Sequence, residues 1–512
     1  MNRNHNTRGW GAALAAVLVL AGTGTPTAAQ QARPVELTLE RMVQLGLDDS
    51  YRVRHLQLGI DQQRARLNAE RAGLKSRVDM EFSGPDLQSI SDYRWDSDLQ
   101  RDVLVHEDTR RWEAELSVSQ PVILFGYPTN GSLSLNNRMY RYSQLNNEGD
   151  VRYYNRYFIS YRQPLFQPNE MKNSLEEAQL DLESSELSYK DDIVGMISDL
   201  AEDYLEIFET AYEQTIAAET VAALEAAAAA ATAVVAADPD RAIETEQVEV
   251  TLANAREEIS QAASRYRLQA AEIKQSLRLP QTDSLVIDPA PVVDPVEVDV
   301  EQAIAYATTL SPRMRRLAID RRETEIDLDE SGSWQAFRLD LNMTYGREVQ
   351  DPRFDNLWER PRNSYTVNVD AYLPIWDWGQ RDYRLQAERF NLERLELRVE
   401  EAEIDIRTSI ENQVRNLEEY EQRALSMQAN LERARQITRS TIESYAAGQA
   451  TLVDVLQTID RQEATAENFL DAYIGWRESL EDLQRDTYWD FQRNAEVLDR
   501  FGIEVGGLGR LP

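Results

Sequence analysis

The chain has 512 residues, 28% of them charged, a formal net charge of -34 and no cysteine. That acidity argues against nucleic-acid binding, which needs clustered lysine and arginine. The missing cysteines exclude disulfides, thiolate metal sites and a lipid-bearing N-terminal Cys. A hydrophobic share of 42% with a mean hydropathy of -0.55 fits a helix-rich, water-facing protein.

Residues 1–29 read as a secretory signal: Arg3 and Arg8 ahead of an apolar run from Trp10 to Ala21, then the small-residue cleavage site Thr27-Ala28-Ala29. Beyond it no run approaches the ~20 apolar residues of a membrane-spanning helix, so membrane contact must come through strands.

Residues 30–75 form an extended lead and an amphipathic helix. A counterpart starts near Val296: an ungapped shift of 261 sets Ser50, Arg52, Arg54 and Leu56 on Ser311, Arg313, Arg315 and Leu317, and Arg77 and Asp79 on Arg338 and Asp340. Such order indicates internal duplication. The first half, residues 30–280, and the second, residues 297–487, are therefore expected as structural repeats, with a proline-rich linker at 281–296 and a tail at 488–512.

Strands follow each opening helix. Val78, Met80 and Phe82 alternate with polar residues, as do Trp112, Ala114, Leu116 and Val118. Further candidates run from Ser132 to Asn136, after the turn signal Pro128-Thr129-Asn130-Gly131, and from Tyr153 to Arg162, after Asn146-Asn147-Glu148-Gly149. In the second half Leu339 to Tyr345 and Tyr365 to Leu373 alternate likewise. The polar stretch 85–111 reads as a long exposed loop. Six strands cannot close a barrel, whose smallest working form has ~8. If they span a membrane, several chains must pool them; a soluble sandwich is the other reading.

After the strands come long helices with two heptad seams each. Leu175, Leu182, Tyr189 and Met196 form one, and Leu180, Leu187, Val194 and Ala201 the other. In the second half Leu385, Leu392, Val399 and Ile406 oppose Phe390, Leu397 and Ile404. Series five residues apart lie on nearly opposite faces, at ~100° per residue. A helix with two seams touches a neighbour on each side, like a stave in a wall. The hairpins turn at Asp238-Pro239-Asp240 and at Ala446-Ala447-Gly448-Gln449.

No catalytic constellation emerges. His5, His55 and His106 are isolated, carboxylate pairs lie on solvated helix flanks, and no phosphate loop or metal-spaced cluster is present. The chain is therefore not expected to be an enzyme, and no cofactor is expected.

The duplicated openings Leu37-Thr38-Leu39-Glu40 and Val298-Asp299-Val300-Glu301, the strand exits Gln163-Pro164-Leu165-Phe166 and Leu373-Pro374-Ile375-Trp376, and above all the stretch Tyr445 to Leu456 resemble the TolC-like outer-membrane efflux protein family (outer membrane factors). That stretch is similar to the family's Tyr-x-x-Gly-x-x-Thr-x-x-Asp-Val-Leu. The resemblance implies a mainly α fold with membrane β: a homotrimer pooling four strands per chain into a 12-stranded barrel in outer-membrane lipid, continued by an α-helical barrel. It implies an inner-membrane transporter and a periplasmic adaptor as partners. It also places Tyr445, Gly448, Thr451 and Asp454 at the periplasmic tip or constriction, with Asp238, Pro239 and Asp240 at the first-repeat tip. Gln457 and Ala450 depart from residues some members use for gating. A periplasmic coiled-coil adaptor or structural spacer is the alternative; it explains the helices but not strands in both halves.

Overall fold

The computed structural model describes residues 34–48, 51–145, 151–333 and 336–503. The signal over 1–29, the Asn146–Gly149 turn and the Gly-rich end of the tail lie outside the described residues.

A short strand β1 (Pro34–Glu36) leads into α1 (Leu39–Asp48) and α2 (Tyr51–Gly73). Then come β2 (Arg77–Asp96), β3 (Arg101–Leu124), β4 (Tyr127–Gln144) and β5 (Val151–Leu165), and the long hairpin α3 (Glu170–Ala237) and α4 (Ala242–Ser276). The second half repeats the order. Strand β6 (Ser284–Val286) pairs with β1, and α5 (Val300–Thr309) and α6 (Pro312–Ser333) follow. Strands β7 (Arg338–Asp351) and β8 (Arg362–Tyr372) lead to α7 (Gln380–Ala446) and α8 (Leu452–Thr487). The tail adds a small β9 (Trp489–Asp490) and β10 (Ala495–Glu496) hairpin and α9 (Val497–Arg500). It packs on the helices through stacking of Trp489 on Tyr306 at 4.3 Å and ion pairs from Arg493 and Arg500 to Glu40.

All six candidate strands form one antiparallel sheet in the order β2-β3-β4-β5-β7-β8. Three expectations change. The stretch 85–111 is a β-hairpin, the upper parts of β2 and β3, rather than a loop. Its alternation is masked because the register slips on β2 between Ser83 and Asp86, and because the face that is apolar lower down carries Asp102, His106 and Asp108 on β3. The signal Pro128-Thr129-Asn130-Gly131 lies inside β4, where pairing slips near Pro121 and Ile123. The turn itself is Phe125-Gly126, both at positive φ, as a two-residue hairpin matching strand twist requires. Finally, the sheet has six strands per chain where the resemblance implied four.

The sheet has two chemical faces. One carries Val78, Met80, Phe82, Trp112, Leu116, Leu133, Leu135, Ile159, Met343, Tyr345, Val367 and Val369, all exposed. The other carries polar groups: Glu113 and Glu115 bind Arg138 at 3.1 and 2.7 Å, and Arg111 lies over the Tyr140 ring at 4.4 Å. One register row crosses this second face through Ser119, Ser134, Ser160, Thr344 and Thr366. An apolar face open on one side and a charged face on the other suit a wall between lipid and water.

At 68 and 67 residues, α3 and α7 are each ~100 Å long at ~1.5 Å per residue. Beside the sheet the helices pack in the order α2-α3-α6-α7. The inner helix α3 buries both seams wholly or partly, including Tyr189, Met196, Val194 and Ala201. On α7, at the edge, Leu385, Leu392, Val399 and Ile406 are covered, whereas Phe390, Leu397 and Ile404 are 58%, 61% and 66% exposed. One stretch of α3 is apolar and long enough to cross a bilayer, contrary to the sequence expectation. Toward the helix end that apolar character is largely alanine, and Ala227, Ala230 and Ala231 are packed in the core between hairpins, which accounts for it.

Candidate functional site

The tips of the two helical hairpins are built by different local chemistry. α3 ends where Asp238 turns extended, its N–H still bonded to the Val234 carbonyl at 2.9 Å. The Asp238 carboxylate then accepts the Asp240 N–H at 3.4 Å, and Pro239, with no N–H to satisfy, starts the short 3-10 turn that leads into α4. Asp240 stays exposed in the first turn.

The second tip ends at a glycine. Gly448 has φ +74°, and its N–H bonds the Tyr445 carbonyl at 2.9 Å while the Gln449 N–H bonds the Ser444 carbonyl at 2.8 Å. This pair of bonds is a Schellman motif, which needs a residue free of Cβ penalty at the left-handed position. Nothing lies within 4 Å of a Cβ built there, so the backbone angle, not space, calls for glycine. Three residues on, Thr451 caps α8. Its hydroxyl accepts the Asp454 N–H at 3.2 Å, and the Asp454 carboxylate accepts the Thr451 N–H at 2.9 Å and hydroxyl at 2.7 Å. This reciprocal box satisfies helix-start donors. The Thr451 hydroxyl and N–H hold the Asp454 carboxyl below its usual range.

Tyr445 joins the tips. Its side chain, on α7, is fully buried among Leu224, Ala231, Val248, Leu252, Leu452 and Val455, from the other three long helices. Its hydroxyl donates to Glu244 Oε2 at 2.6 Å, and Arg241 binds the other Glu244 oxygen at 2.9 Å while lying 5.4 Å from the Tyr445 ring. Burial, then the Glu244 carboxylate, pushes the Tyr445 hydroxyl up to about 12. Burial works to raise the Glu244 carboxyl, but Arg241 and Tyr445 together hold it below its usual value. Sequence reading missed Arg241 and Glu244. Their three-residue spacing after Pro239 marks a local helix-start pair, but nothing local points to Tyr445, 201 residues away.

Tyr445 thus sits inside the tip of one chain and Asp454 on its exposed surface. Ala450 packs beside the tip core and Gln457 is exposed. Among the described residues no group of three or more His, Asp or Glu is placed to hold a metal ion.

The family model for outer membrane efflux proteins matches residues 307–485, which include the strands β7 and β8 and the Tyr445–Asp454 tip. The matched residues all lie in the second half of the chain. The fold is TolC-like. The outer-membrane channel OprN is 13% identical with a TM-score of 0.61, over 88% of this chain and 89% of that one. The outer membrane protein VceC from Vibrio cholerae is 10% identical with a TM-score of 0.60, over 88% and 95%. The CmeC outer membrane channel of Campylobacter jejuni is 14% identical with a TM-score of 0.55, over 93% and 92%. No curated protein matches the chain at a significant level.

Proposed function

We propose that this chain is an outer membrane efflux protein, its sheet in the outer membrane and its long helices in the periplasm, and that it works as a homotrimer, the passive exit duct of a tripartite efflux or type I secretion system. The observation that carries this is the matching of open edges. The sheet ends in unpaired strands β2 and β8, and the adjoining helix layer ends in α2 and α7, which immediately precede β2 and follow β8. Unpaired strand edges are not tolerated in lipid, and the bare Phe390-Leu397-Ile404 seam on α7 needs an apolar neighbour. A second copy supplies both at once.

In this reading residues 30–280 and 297–487 act as two repeats, and the hairpin tips form the narrow periplasmic end. Gly448 and Thr451 shape the second tip, Tyr445 ties it to the first, and Asp238, Pro239 and Asp240 close the first. Asp454, repeated three times around the axis, favours cations. The duct has no energy source of its own, so an inner-membrane transporter drives the flow and a periplasmic adaptor grips the helix tips.

Membrane fractionation followed by planar-bilayer recording tests this. Recovery as a detergent-extracted trimer with cation-preferring conductance is the expected result. Recovery as a detergent-free monomer from the soluble periplasm would instead favour an adaptor or spacer. Loss of cation preference in Asp454→Asn supports the ring, and unchanged selectivity removes Asp454 from it.

A further inference from the structure

The first half of the chain carries four strands of the sheet and the second half two. We propose that three copies close into an eighteen-stranded barrel, with β8 of each copy paired to β2 of the next and the β3–β4 hairpin forming part of the lipid-facing wall. The proposal rests on the trimer put forward above and adds the strand count.

Three observations place β3 and β4 in the wall rather than on its rim. First, their pairing is continuous with the rest of the sheet: β3 pairs with β4 from Thr109 to Leu124, and β4 with β5 from Ser132 to Ser143. The hairpin turns at Phe125-Gly126, at the end of the sheet where β2 and β5 meet their helices, so both strands run the full depth. Second, they share the two-faced chemistry. Trp112, Leu116, Leu133 and Leu135 are exposed on the same face as Val367 and Val369, while Glu113, Glu115 and Arg138 pair with one another on the opposite face. A hairpin standing in water above the membrane has no use for a bare apolar face. The upper part of the β2–β3 hairpin, with Asp102, His106 and Asp108 on that face, has the composition of such a protruding segment instead.

Third, the sheet already has the stagger of a closed barrel. The row that starts at Arg77, the first residue of β2, reaches β8 at Thr366, six residues before that strand ends at Tyr372. Six residues at ~3.3 Å over five steps of ~4.8 Å tilt the strands by about 40°, within the ~35–45° of membrane barrels. At that tilt six strands span an arc of ~38 Å, close to the ~36 Å of the four helices α2, α3, α6 and α7 at ~9 Å apart. Eighteen such strands give a backbone diameter of ~36 Å, against ~24 Å for twelve.

The edges also fit. On β2, residues 77–83 lie below the register slip at Gly84 and Pro85 and offer an uninterrupted run for pairing on the outer side. Alternation then requires Ala371 of β8 to meet Val78, Met80 or Phe82 of the next copy, all on the lipid face.

Cryo-electron microscopy of the detergent-purified full chain decides the count. A trimer with six strands per copy in one closed wall supports the proposal. A trimer with four strands per copy, and β3–β4 outside the wall, overturns it while leaving the trimeric duct intact. A particle that is not trimeric overturns both. As a biochemical check in this cysteine-free chain, Ala371→Cys is combined in turn with Val78→Cys, Met80→Cys and Phe82→Cys. Oxidation should give a covalent trimer in one of the three, and Ala371→Cys with lumen-facing Asp79→Cys should give none. Absence of cross-linking in all three folded double variants overturns the β8–β2 joint.

Discussion

The two halves of the chain share a helical plan and differ in what they hang on it. Each has two short helices, strands, and a long hairpin, yet the first half holds four strands of the sheet and the second two. An added hairpin brings an even number of strands, so the chain re-enters α3 at the same end of the sheet, and the helices below need not change. The tips differ as well. The first is closed by local polar capping at Asp238 and Pro239, whereas the second depends on a left-handed glycine, a capping box and a buried tyrosine. Local caps can vary without consequence for neighbours; a buried ring shared by four helices cannot.

The widest test of that contrast is Tyr445→Ala. Truncating a fully buried aromatic removes transfer energy and leaves a cavity, an expected cost of ~3–5 kcal/mol. Asp238→Ala should cost ~1 kcal/mol as a lost cap. Thermal unfolding of the two variants in detergent compares them, and equal losses would erase the distinction between the tips. Next comes the sheet. Leu116→Arg in the extra hairpin and Val369→Arg in the second half should each destabilise by ~2–4 kcal/mol if both face lipid at mid-depth, with Ser117→Arg on the wet face near neutral. The fraction of heat-modifiable folded trimer on gels measures this; a harmless Leu116→Arg beside a damaging Val369→Arg would set the two halves apart.

Smaller effects refine the second tip. Gly448→Val forces a β-branched residue to φ +74°, for ~1–2 kcal/mol, whereas the same change at exposed Gly73 in α2 should show far less in the same melts. Thr451→Ala should cost ~1 kcal/mol, detectable as faster hydrogen exchange at the start of α8. The smallest effect is a pH slope. Burial, then Glu258, Glu467 and Asp460, push the Glu463 carboxyl from 4.5 up to about 7. Between those values the native state keeps a proton that the unfolded chain has lost, so stability falls as pH rises through the window. Glu463→Gln should flatten that part of the stability profile, and an unchanged slope would remove Glu463 from the account.

Much of this was legible residue by residue. Alternation placed Val78, Leu116 and Val367 on strands because the pleat has a period of two. Paired heptads marked α3 and α7 as walls with neighbours on both sides, and Ala446-Ala447-Gly448-Gln449 announced a turn through backbone rules that act within four residues. The hairpin at 85–111 escaped because a register slip at Gly84 and Pro85 shifts the phase of β2, and because Asp102, His106 and Asp108 break the apolar alternation of β3. The Pro-Thr-Asn-Gly stretch misled because turn-forming residues serve a slip in a strand as well as a reversal. The Tyr445–Glu244 bond left no trace, since its partners come together only when two separate hairpins pack.

By itself, then, the order of amino acids determined the kinds of element, their two-sided chemistry and the need for partners, because periodicity, capping and charge are short-range properties. Only the tertiary structure decided which strand lies beside which, that β3 and β4 belong to one continuous sheet, and that α7 rather than α3 presents a bare seam. Those are questions of neighbourhood, and hydrogen bonding and burial between distant segments are what answer them.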